Sequence, residues 1–172
     1  MAAYAWQPPP PGAAKAVGPG EPSGVLALSR MVAVPKDQRE LKHISKPLIE
    51  QMKRLIDRTR WPVLLTYSDA SLGHDGYVYR CSGWTKDGVY RRGFAVDSDG
   101  VRVSAYSNGS RSTFATTGTT ELTRWVNRVC PVGQEGAWMA RHGWQRVAVA
   151  GKVWASGRQA YTWARGVPVR EV

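Results

Sequence analysis

The apolar residues in the first half of the chain form two runs with a helically spaced stretch between them, and the second run is continuous. The first run, Val25–Val34, predicts a strand. Apolar residues then recur every three or four positions over residues 44–58, which predicts a helix with Ser45 as its N-cap. The second run, Val63–Leu65, predicts a buried strand. The pattern therefore begins with strand, helix and strand.

Two polar residues, Ser29 and Arg30, interrupt the first predicted strand. A buried arginine requires a partner, because an unpaired charge is costly to remove from water. Either Arg30 pairs with a core carboxylate or lies at an edge, or it faces a cleft and binds an anionic or carbonyl group. The sequence leaves these alternatives open.

The second predicted strand ends in a dense group of reactive residue types. The stretch Tyr67–Trp84 contains tyrosine, aspartate, histidine, serine and glycine. Ligands of α/β folds bind beyond the carboxyl ends of strands, and Gly73 and Gly76 allow backbone conformations closed to other residues. We therefore expect a functional site here, followed by Tyr77 and Tyr79 on a short helix or turn. The alternative is an ordinary connection whose polar groups are satisfied.

The second half of the chain has weaker patterns. We expect a strand at Val89–Phe94 and another at Val101–Tyr106, joined as a hairpin. Helices are predicted over Thr119–Val129 and Ala137–His142, and residues 151–157 predict a loop or short strand.

Individual residues within this order of elements resemble a known family. They are Ser29-Arg30, Ser45, Tyr67, Asp69, the stretch Gly73-His74-x-Gly76-x-x-Tyr79, and Ser82-Gly83-Trp84. Together they look like the Mom family of phage-encoded DNA-modification enzymes, which have a GNAT-like core. Mom proteins convert the exocyclic N6 of adenine in DNA to a carbamoylmethylated form that shields phage DNA from restriction. The resemblance covers about residues 25–90.

The resemblance implies an α+β fold with a GNAT-like, acyltransferase-type mixed sheet and flanking helices. We expect a Pro/Gly-rich segment at 1–24 in place of longer N-terminal elements, a catalytic core at 25–94, and a basic C-terminal extension at 95–172. GNAT enzymes hold the pyrophosphate of coenzyme A on a glycine-rich loop, whereas residues 35–45 contain no glycine. An acyl-CoA cofactor is therefore left open, and the donor is an unidentified small molecule.

Matching motif positions of the Mom family implicate Arg30, Ser45, Asp69 and Tyr79 in catalysis. Adenine N6 is a weak nucleophile, because its lone pair is delocalised into the ring. Asp69 is expected to accept a hydrogen bond or proton from N6–H, and Tyr79 to donate or position a proton. Arg30 is expected to bind the donor, while Ser45 either hydrogen-bonds donor or base or only caps its helix. Second-rank candidates are Tyr67 and His74.

The charge of the chain points to a polyanionic partner. The formal net charge is +11 and the pI is about 10.1, which favours nucleic acid over other partners. Residues 141–170 hold six basic residues and no acidic residue, interleaved with aromatic residues. Such a segment suits backbone contact with base stacking, although the aromatic residues could instead belong to the core. The predicted DNA contacts are Arg141, Arg146, Lys152 and Arg158.

The leading hypothesis is thus a phage-type DNA adenine-modifying transferase that acts on double-stranded DNA with a flipped base. The alternatives are a GNAT-type N-acetyltransferase acting on a small amine or protein, and a catalytically inactive DNA-binding or anti-restriction protein. No metal-ligand spacing stands out among the three histidines, and two cysteines do not make a disulfide framework. With no leader or membrane-spanning apolar run, we expect a cytoplasmic protein. The oligomeric state is left open.

Overall fold

Strands make up most of the part of the chain that the computed structural model describes, which comprises residues 2–33, 49–50, 53–96, 102–104, 118–153 and 156–166. The strands are β1 (Ala2–Gln7), β2 (Val25–Ala33), β3 (Val63–Asp69), β4 (Thr85–Val96), β5 (Arg102–Ser104), β6 (Gly118–Arg128), β7 (Trp144–Val153) and β8 (Gln159–Arg165). The helices are α1 (Pro11–Val17), α2 (Tyr77–Cys81) and α3 (Glu135–Arg141). The α+β class predicted from the sequence is confirmed.

The strands form a six-stranded sheet with the order β1-β2-β3-β6-β4-β5 and a two-stranded ribbon of β7 and β8. Strand β4 pairs antiparallel with β6 from Thr85↔Val126 to Phe94↔Gly118. The same strand pairs antiparallel with β5, which confirms the predicted hairpin; its connecting residues 97–101 lie outside the described part. The chain divides into two compact units, one within Met1–Trp6, Leu28–Lys53 and Leu65–Asn127 and one within Gln7–Ala27, Arg54–Leu64 and Arg128–Val172.

Strand β3 is buried along most of its length, as its continuous apolar run predicts. Val63, Leu64 and Leu65 are inaccessible to solvent, and Thr66 and Ser68 are also buried. Side chains alternate across a strand, so Thr66 and Ser68 share one face of the sheet while Tyr67 and Asp69 share the other. This alternation decides which polar side chains of β3 enter the core.

An aromatic cluster packs against the Thr66 and Ser68 face of β3. The indole Nε1 of Trp125, on β6, donates a hydrogen bond to Ser68 Oγ at 2.9 Å. The ring of Tyr79, on α2, lies 5.7 Å from the ring of Trp84 and 6.2 Å from that of Trp125. Burial of these large rings supplies apolar contact area, while the hydrogen bond satisfies a buried indole donor.

The second unit is organised around one buried carboxylate, that of Glu135 at the start of α3. Its Oε2 accepts a hydrogen bond from the Gly20 amide at 3.0 Å. Its Oε1 accepts from the Gly133 amide at 3.1 Å and from Arg128 Nη1 at 3.2 Å. A fully buried carboxylate needs such partners, because desolvation of an unpaired charge is costly.

The prediction of a helix over Thr119–Val129 is wrong, because these residues form strand β6. The prediction used the acidic-to-basic order of Glu121 and Arg124. In the strand these charges make cross-strand pairs instead, from Glu121 Oε1 to Arg91 Nε at 3.1 Å and from Arg124 Nε to Asp87 Oδ2 at 2.6 Å. Three threonines and two valines among these residues also favour the strand, because β-branched side chains pack well on a pleated surface.

The predicted helix over residues 44–58 is described only in part. Residues 49–50 and 53–54 are helical, while 44–48 and 51–52 lie outside the described residues. The predicted C-terminal end is wrong, because a turn begins at Leu55, whose side chain is 66% exposed rather than on a buried face. The Asp57 carboxylate accepts a hydrogen bond from the Thr59 amide at 2.9 Å and so stabilises a turn that competes with the helix.

The remaining predicted elements agree with the structure where it describes them. The strand predicted at Val25–Val34 is β2, and the strand predicted at Val89–Phe94 lies within β4. The short helix predicted near Ala137–His142 is α3, which is followed by Gly143 with a φ of 81°. Of residues 151–157, the first three belong to β7 and residues 154–155 lie outside the described chain.

Two glycines after β3 adopt the left-handed conformation, but only one of them also touches the aromatic cluster. Gly73 has a φ of 77° and Gly76 a φ of 78°. A Cβ at Gly76 would lie 2.4 Å from the Trp125 ring, whereas a Cβ at Gly73 would meet nothing within 4 Å. A side chain would therefore strain the backbone at both positions, but it would cause a steric clash only at Gly76.

We expect Gly73→Ala to lower the free energy of unfolding by about 1 kcal/mol through backbone strain. Gly76→Ala should cost about 2 kcal/mol more, because the Trp125 ring must shift to admit the methyl group. Urea unfolding followed by tryptophan fluorescence measures both. Equal losses in the two variants would contradict the close approach of Gly76 to Trp125.

Candidate functional site

The carboxyl end of β3 holds a compact polar group, which we call the Asp69 cluster: Asp69, Ser71 and Thr120. Asp69 Oδ1 accepts hydrogen bonds from the Ser71 amide at 3.0 Å, from Ser71 Oγ at 2.5 Å and from Thr120 Oγ1 at 2.9 Å. Asp69 thereby caps the 3₁₀ turn Ala70–Leu72. The carboxylate is held in one orientation by donors from both β6 and the turn that follows β3.

An open depression of about 450 Å³ adjoins the Asp69 cluster. It is lined by Ala70, Ser71, Phe94, Thr119, Thr120 and Glu121. Its volume falls in the range of small-molecule sites, about 300–1,000 Å³. The described lining contains hydroxyls, a carboxylate and an aromatic ring but no basic side chain, so it suits a group that donates hydrogen bonds better than it suits a phosphate.

The space beside Phe94 depends on a glycine in the neighbouring strand. Phe94 on β4 lies directly opposite Gly118 on β6. A Cβ at Gly118 would come within 2.8 Å of the Phe94 ring. The ring therefore occupies room that a side chain on β6 would fill, and its position at the depression depends on Gly118.

Tyr67 lies on the same face of β3 as Asp69, beside a charged pair. Its ring is 6.1 Å from the ring of Tyr90 on β4, at an interplanar angle of 51°. Arg124 and Asp87 form a salt bridge of 2.6 Å between partly exposed side chains. Burial raises the pKa of Tyr67, and the charge and hydrogen bond of Arg124 partly offset that effect. The hydroxyl of Tyr67 is therefore protonated at neutral pH.

Tyr79 lies on the other face of β3 from Asp69. Its side chain is 9% exposed, and its hydroxyl lies 3.5 Å from Thr66 Oγ1, which donates to Leu28 O at 3.1 Å. Burial raises the pKa of Tyr79, with a smaller opposing effect from Thr66. The structure does not bring Asp69 and Tyr79 to one face of the sheet. The proton-donor role of Tyr79 stays a prediction, while its contacts are those of a core side chain.

The other predicted catalytic residues occupy different positions. Arg30 is on β2, which neighbours β3 in the sheet. Its side chain is exposed, so its charge does not require a protein partner. His74 is exposed, and its main-chain amide donates to Asp69 O at 3.1 Å, which closes the loop after β3. Ser45 lies outside the described residues.

The four predicted DNA contacts are exposed residues of the second unit. Arg141 ends α3, and Arg146 and Lys152 are on β7. Arg158 immediately precedes β8. The guanidinium of Arg146 lies over the ring of Tyr161 at 4.4 Å, so the structure brings this arginine together with one of the interleaved aromatic residues.

Sequence reasoning missed the two partners of Asp69. Ser71 follows Asp69 by two positions, a spacing at which an aspartate often accepts a hydrogen bond from the main chain, and this signal could have been used. Thr120 could not be found in this way, because its segment was predicted as a helix. Its contact with Asp69 depends on the pairing of β6 within the sheet.

No model of a known protein family matches the chain, and no curated protein matches it. Within the described ranges, no group of three or more histidine, cysteine, aspartate or glutamate side chains is placed to hold a metal ion. Among the same residues, no helix combines the length and apolar composition needed to cross a membrane. The site is therefore interpreted from its own geometry.

Burial of Tyr79 predicts a loss of stability at alkaline pH. Below about pH 10 the hydroxyl is protonated in both the folded and the unfolded state, so this group adds no pH dependence to the free energy of unfolding. Above that pH the unfolded chain releases the proton first, and the free energy of unfolding falls by up to about 1.4 kcal/mol per pH unit until the folded hydroxyl also ionises. We expect Tyr79→Phe to reduce this loss between about pH 9 and about pH 11, measured by urea unfolding. Equal losses in the two proteins would mean that the hydroxyl is solvated.

Proposed function

We propose that the chain is a phage-type DNA-modification transferase with a GNAT-like core, which attaches a carbamoylmethyl-type group to N6 of adenine. The observation that carries this proposal is the oriented carboxylate of Asp69 beside a depression whose described lining has no basic side chain. Such a depression favours an uncharged base with an exocyclic amine over the phosphates around it. The net charge of +11 supports DNA as the polymer that carries the base.

Asp69 is suited to act on an exocyclic amine. Its Oδ1 is fixed by Ser71 and Thr120, which line the depression, so a base bound there would lie beside a carboxylate held in one orientation. In the proposed step, N6 attacks the donor carbon, the N–C bond forms, and the donor's leaving group departs. The proton lost from N6 passes to Asp69. General-base assistance of this kind contributes about 10²- to 10⁴-fold in rate.

The order of elements around the site supports the GNAT-like assignment. Strand β2, a partly described helix, strand β3, helix α2 and strand β4 follow one another along the chain, and β2 neighbours β3 in the sheet. In a GNAT-like fold the donor lies between the two corresponding strands. The residues of 35–45, where a pyrophosphate loop would occur, are outside the described part, so coenzyme A and other donors are both retained in the proposal.

A second candidate function is N-acetylation of a small amine. The same observation favours it, because Glu121 and the hydroxyls of the depression would also accept hydrogen bonds from an ammonium or amine group. The two functions differ in whether DNA is the substrate. An amine acetyltransferase would bind coenzyme A and leave DNA unchanged, whereas the proposed enzyme alters deoxyadenosine.

The test is expression of the full chain in bacteria, followed by mass spectrometry of nucleosides from plasmid DNA. We expect a heavier deoxyadenosine and resistance to restriction at some adenine-containing sites. Asp69→Asn should reduce the modified nucleoside at least about 100-fold, because the asparagine retains an oxygen acceptor for the turn but cannot take the proton. Asp75→Asn is the matched control: Asp75 Oδ1 likewise accepts a main-chain hydrogen bond, from Tyr77 at 2.9 Å, and lies in the same loop.

Three outcomes decide the proposal. Unmodified nucleosides from soluble wild-type protein would contradict it, and acetylation of an amine with coenzyme A would favour the second candidate. Modification that persists in Asp69→Asn would contradict the role of that carboxylate. Tyr79→Phe distinguishes a structural from a catalytic role of Tyr79. Normal activity would assign Tyr79 to the core, and lost activity in a folded variant would assign it the predicted proton transfer.

A further inference from the structure

One face of the β7–β8 ribbon carries only large aromatic and basic side chains along most of its paired length. The register pairs Trp144 with Arg165 and Arg146 with Trp163, and Tyr161 lies opposite Ala148. Directly opposed residues of antiparallel strands share a face, and alternate residues along each strand do so too. We call this surface the arginine–aromatic face: Trp144, Arg146, Tyr161, Trp163 and Arg165. The other face carries the uncharged residues Gln145, Val147, Thr162 and Ala164.

The rings and guanidinium groups on this face are stacked against one another. Arg146 Cζ lies 4.4 Å from the centre of the Tyr161 ring, and Arg165 Cζ lies 5.5 Å from that of Trp144. Trp144 is fixed by a hydrogen bond from its Nε1 to Thr59 Oγ1 at 3.1 Å. Tyr161 remains 51% exposed, and the Arg165 side chain remains 63% exposed although its Nη2 lies 3.9 Å from Asp57 Oδ2. The face therefore presents oriented aromatic surface and positive charge to solvent.

The far end of the ribbon adds further positive charge on a structured backbone. The register shifts between Ala148 and Val153, where β7 bulges. Gln159 Nε2 closes the bulge by donating hydrogen bonds to Val149 O at 2.8 Å and to Lys152 O at 3.2 Å. Lys152 lies within the bulge, and Arg158 immediately precedes Gln159. Both basic residues therefore lie at this end of the ribbon.

We infer that the arginine–aromatic face binds single-stranded DNA, with its guanidinium groups on phosphates and an unpaired base stacked on its exposed Tyr161 ring. This inference deepens the proposed function, on which it relies for DNA as the polymer. One feature favours an unpaired strand over a duplex. Bases offer their π-faces only when they are unstacked, so the exposed Tyr161 ring would gain nothing from a paired duplex whose bases stay stacked.

The first test compares two arginines of equal charge. A fluorescein-labelled oligodeoxynucleotide without donor is titrated with the full chain, and anisotropy gives the dissociation constant at several salt concentrations. We expect Arg146→Gln to weaken binding about tenfold and to flatten the slope of log K against log salt by about 0.7, the value for one phosphate contact on a single strand. Arg80→Gln is the matched control, because Arg80 is also exposed and lies over a tyrosine ring, that of Tyr77 at 5.5 Å, but belongs to α2 rather than to the ribbon.

The second test removes a ring without changing charge. Tyr161→Leu should weaken single-strand binding about tenfold. Tyr77→Leu is the control, because Tyr77 is 59% exposed and also lies beneath an arginine, Arg80, at 5.5 Å. The native protein should bind the single strand more tightly than the same sequence as a duplex. Far-ultraviolet circular dichroism of each variant verifies that the fold is retained.

The outcomes separate this inference from the proposed function. Equal weakening by Arg146→Gln and Arg80→Gln, no effect of Tyr161→Leu, or tighter binding of the duplex would overturn the inference. Binding that depends on this face without any modified nucleoside in cells would support the inference and overturn the enzymatic proposal. A modified nucleoside in cells, with DNA binding that does not depend on this face, would support the enzymatic proposal and overturn the inference.

Discussion

Alternation along β3 is the constraint on which the first unit and its candidate site depend. The first three residues of the strand are buried whichever way they point, so alternation has no chemical consequence there. From Thr66 onward it separates two environments, because Thr66 and Ser68 enter the aromatic core while Tyr67 and Asp69 face the polar surface. A shift of one residue in register would bury the Asp69 carboxylate against tryptophan rings, at a cost of several kcal/mol.

This separation gives the two tyrosines of the site different roles. Tyr79 belongs to the core, where its ring fills space between Trp84 and Trp125 and its hydroxyl depends on Thr66 for a partner. Tyr67 lies beside Arg124, whose charge and hydrogen bond act on its hydroxyl. Both have raised pKa values because of burial, which shows that a perturbed pKa identifies a buried group and leaves its function to be decided by geometry.

Local signals explain which parts of the fold were predictable. The buried strand β3 and the short helix or turn that follows it, which is α2, are each determined within a few residues, and each was predicted correctly. Gly73 and Gly76 were identified as residues able to adopt conformations closed to others, and both are left-handed. Strand β6 was not predicted, because the spacing of Glu121 and Arg124 is compatible with a helix dipole and with cross-strand ion pairs alike. Its β-branched residues favour a strand, and pairing with β4 adds to that preference. The Asp69 cluster was therefore only partly predictable. The contact of Asp69 with Ser71 is local in sequence, whereas its contact with Thr120 is not.

In the proposed DNA modification, the charges of the two units would serve two separate tasks. The described lining beside the Asp69 cluster has hydroxyls and a carboxylate but no basic side chain, so it accepts hydrogen bonds from the donors of a neutral base and offers no cation to a phosphate. The arginine–aromatic face has the opposite character, since guanidinium groups attract the backbone without reading a base. In that proposal, affinity for DNA and selection of the reacting group would come from different residues. Loss of one basic contact should therefore change how tightly DNA is held and leave unchanged which atom of the base reacts.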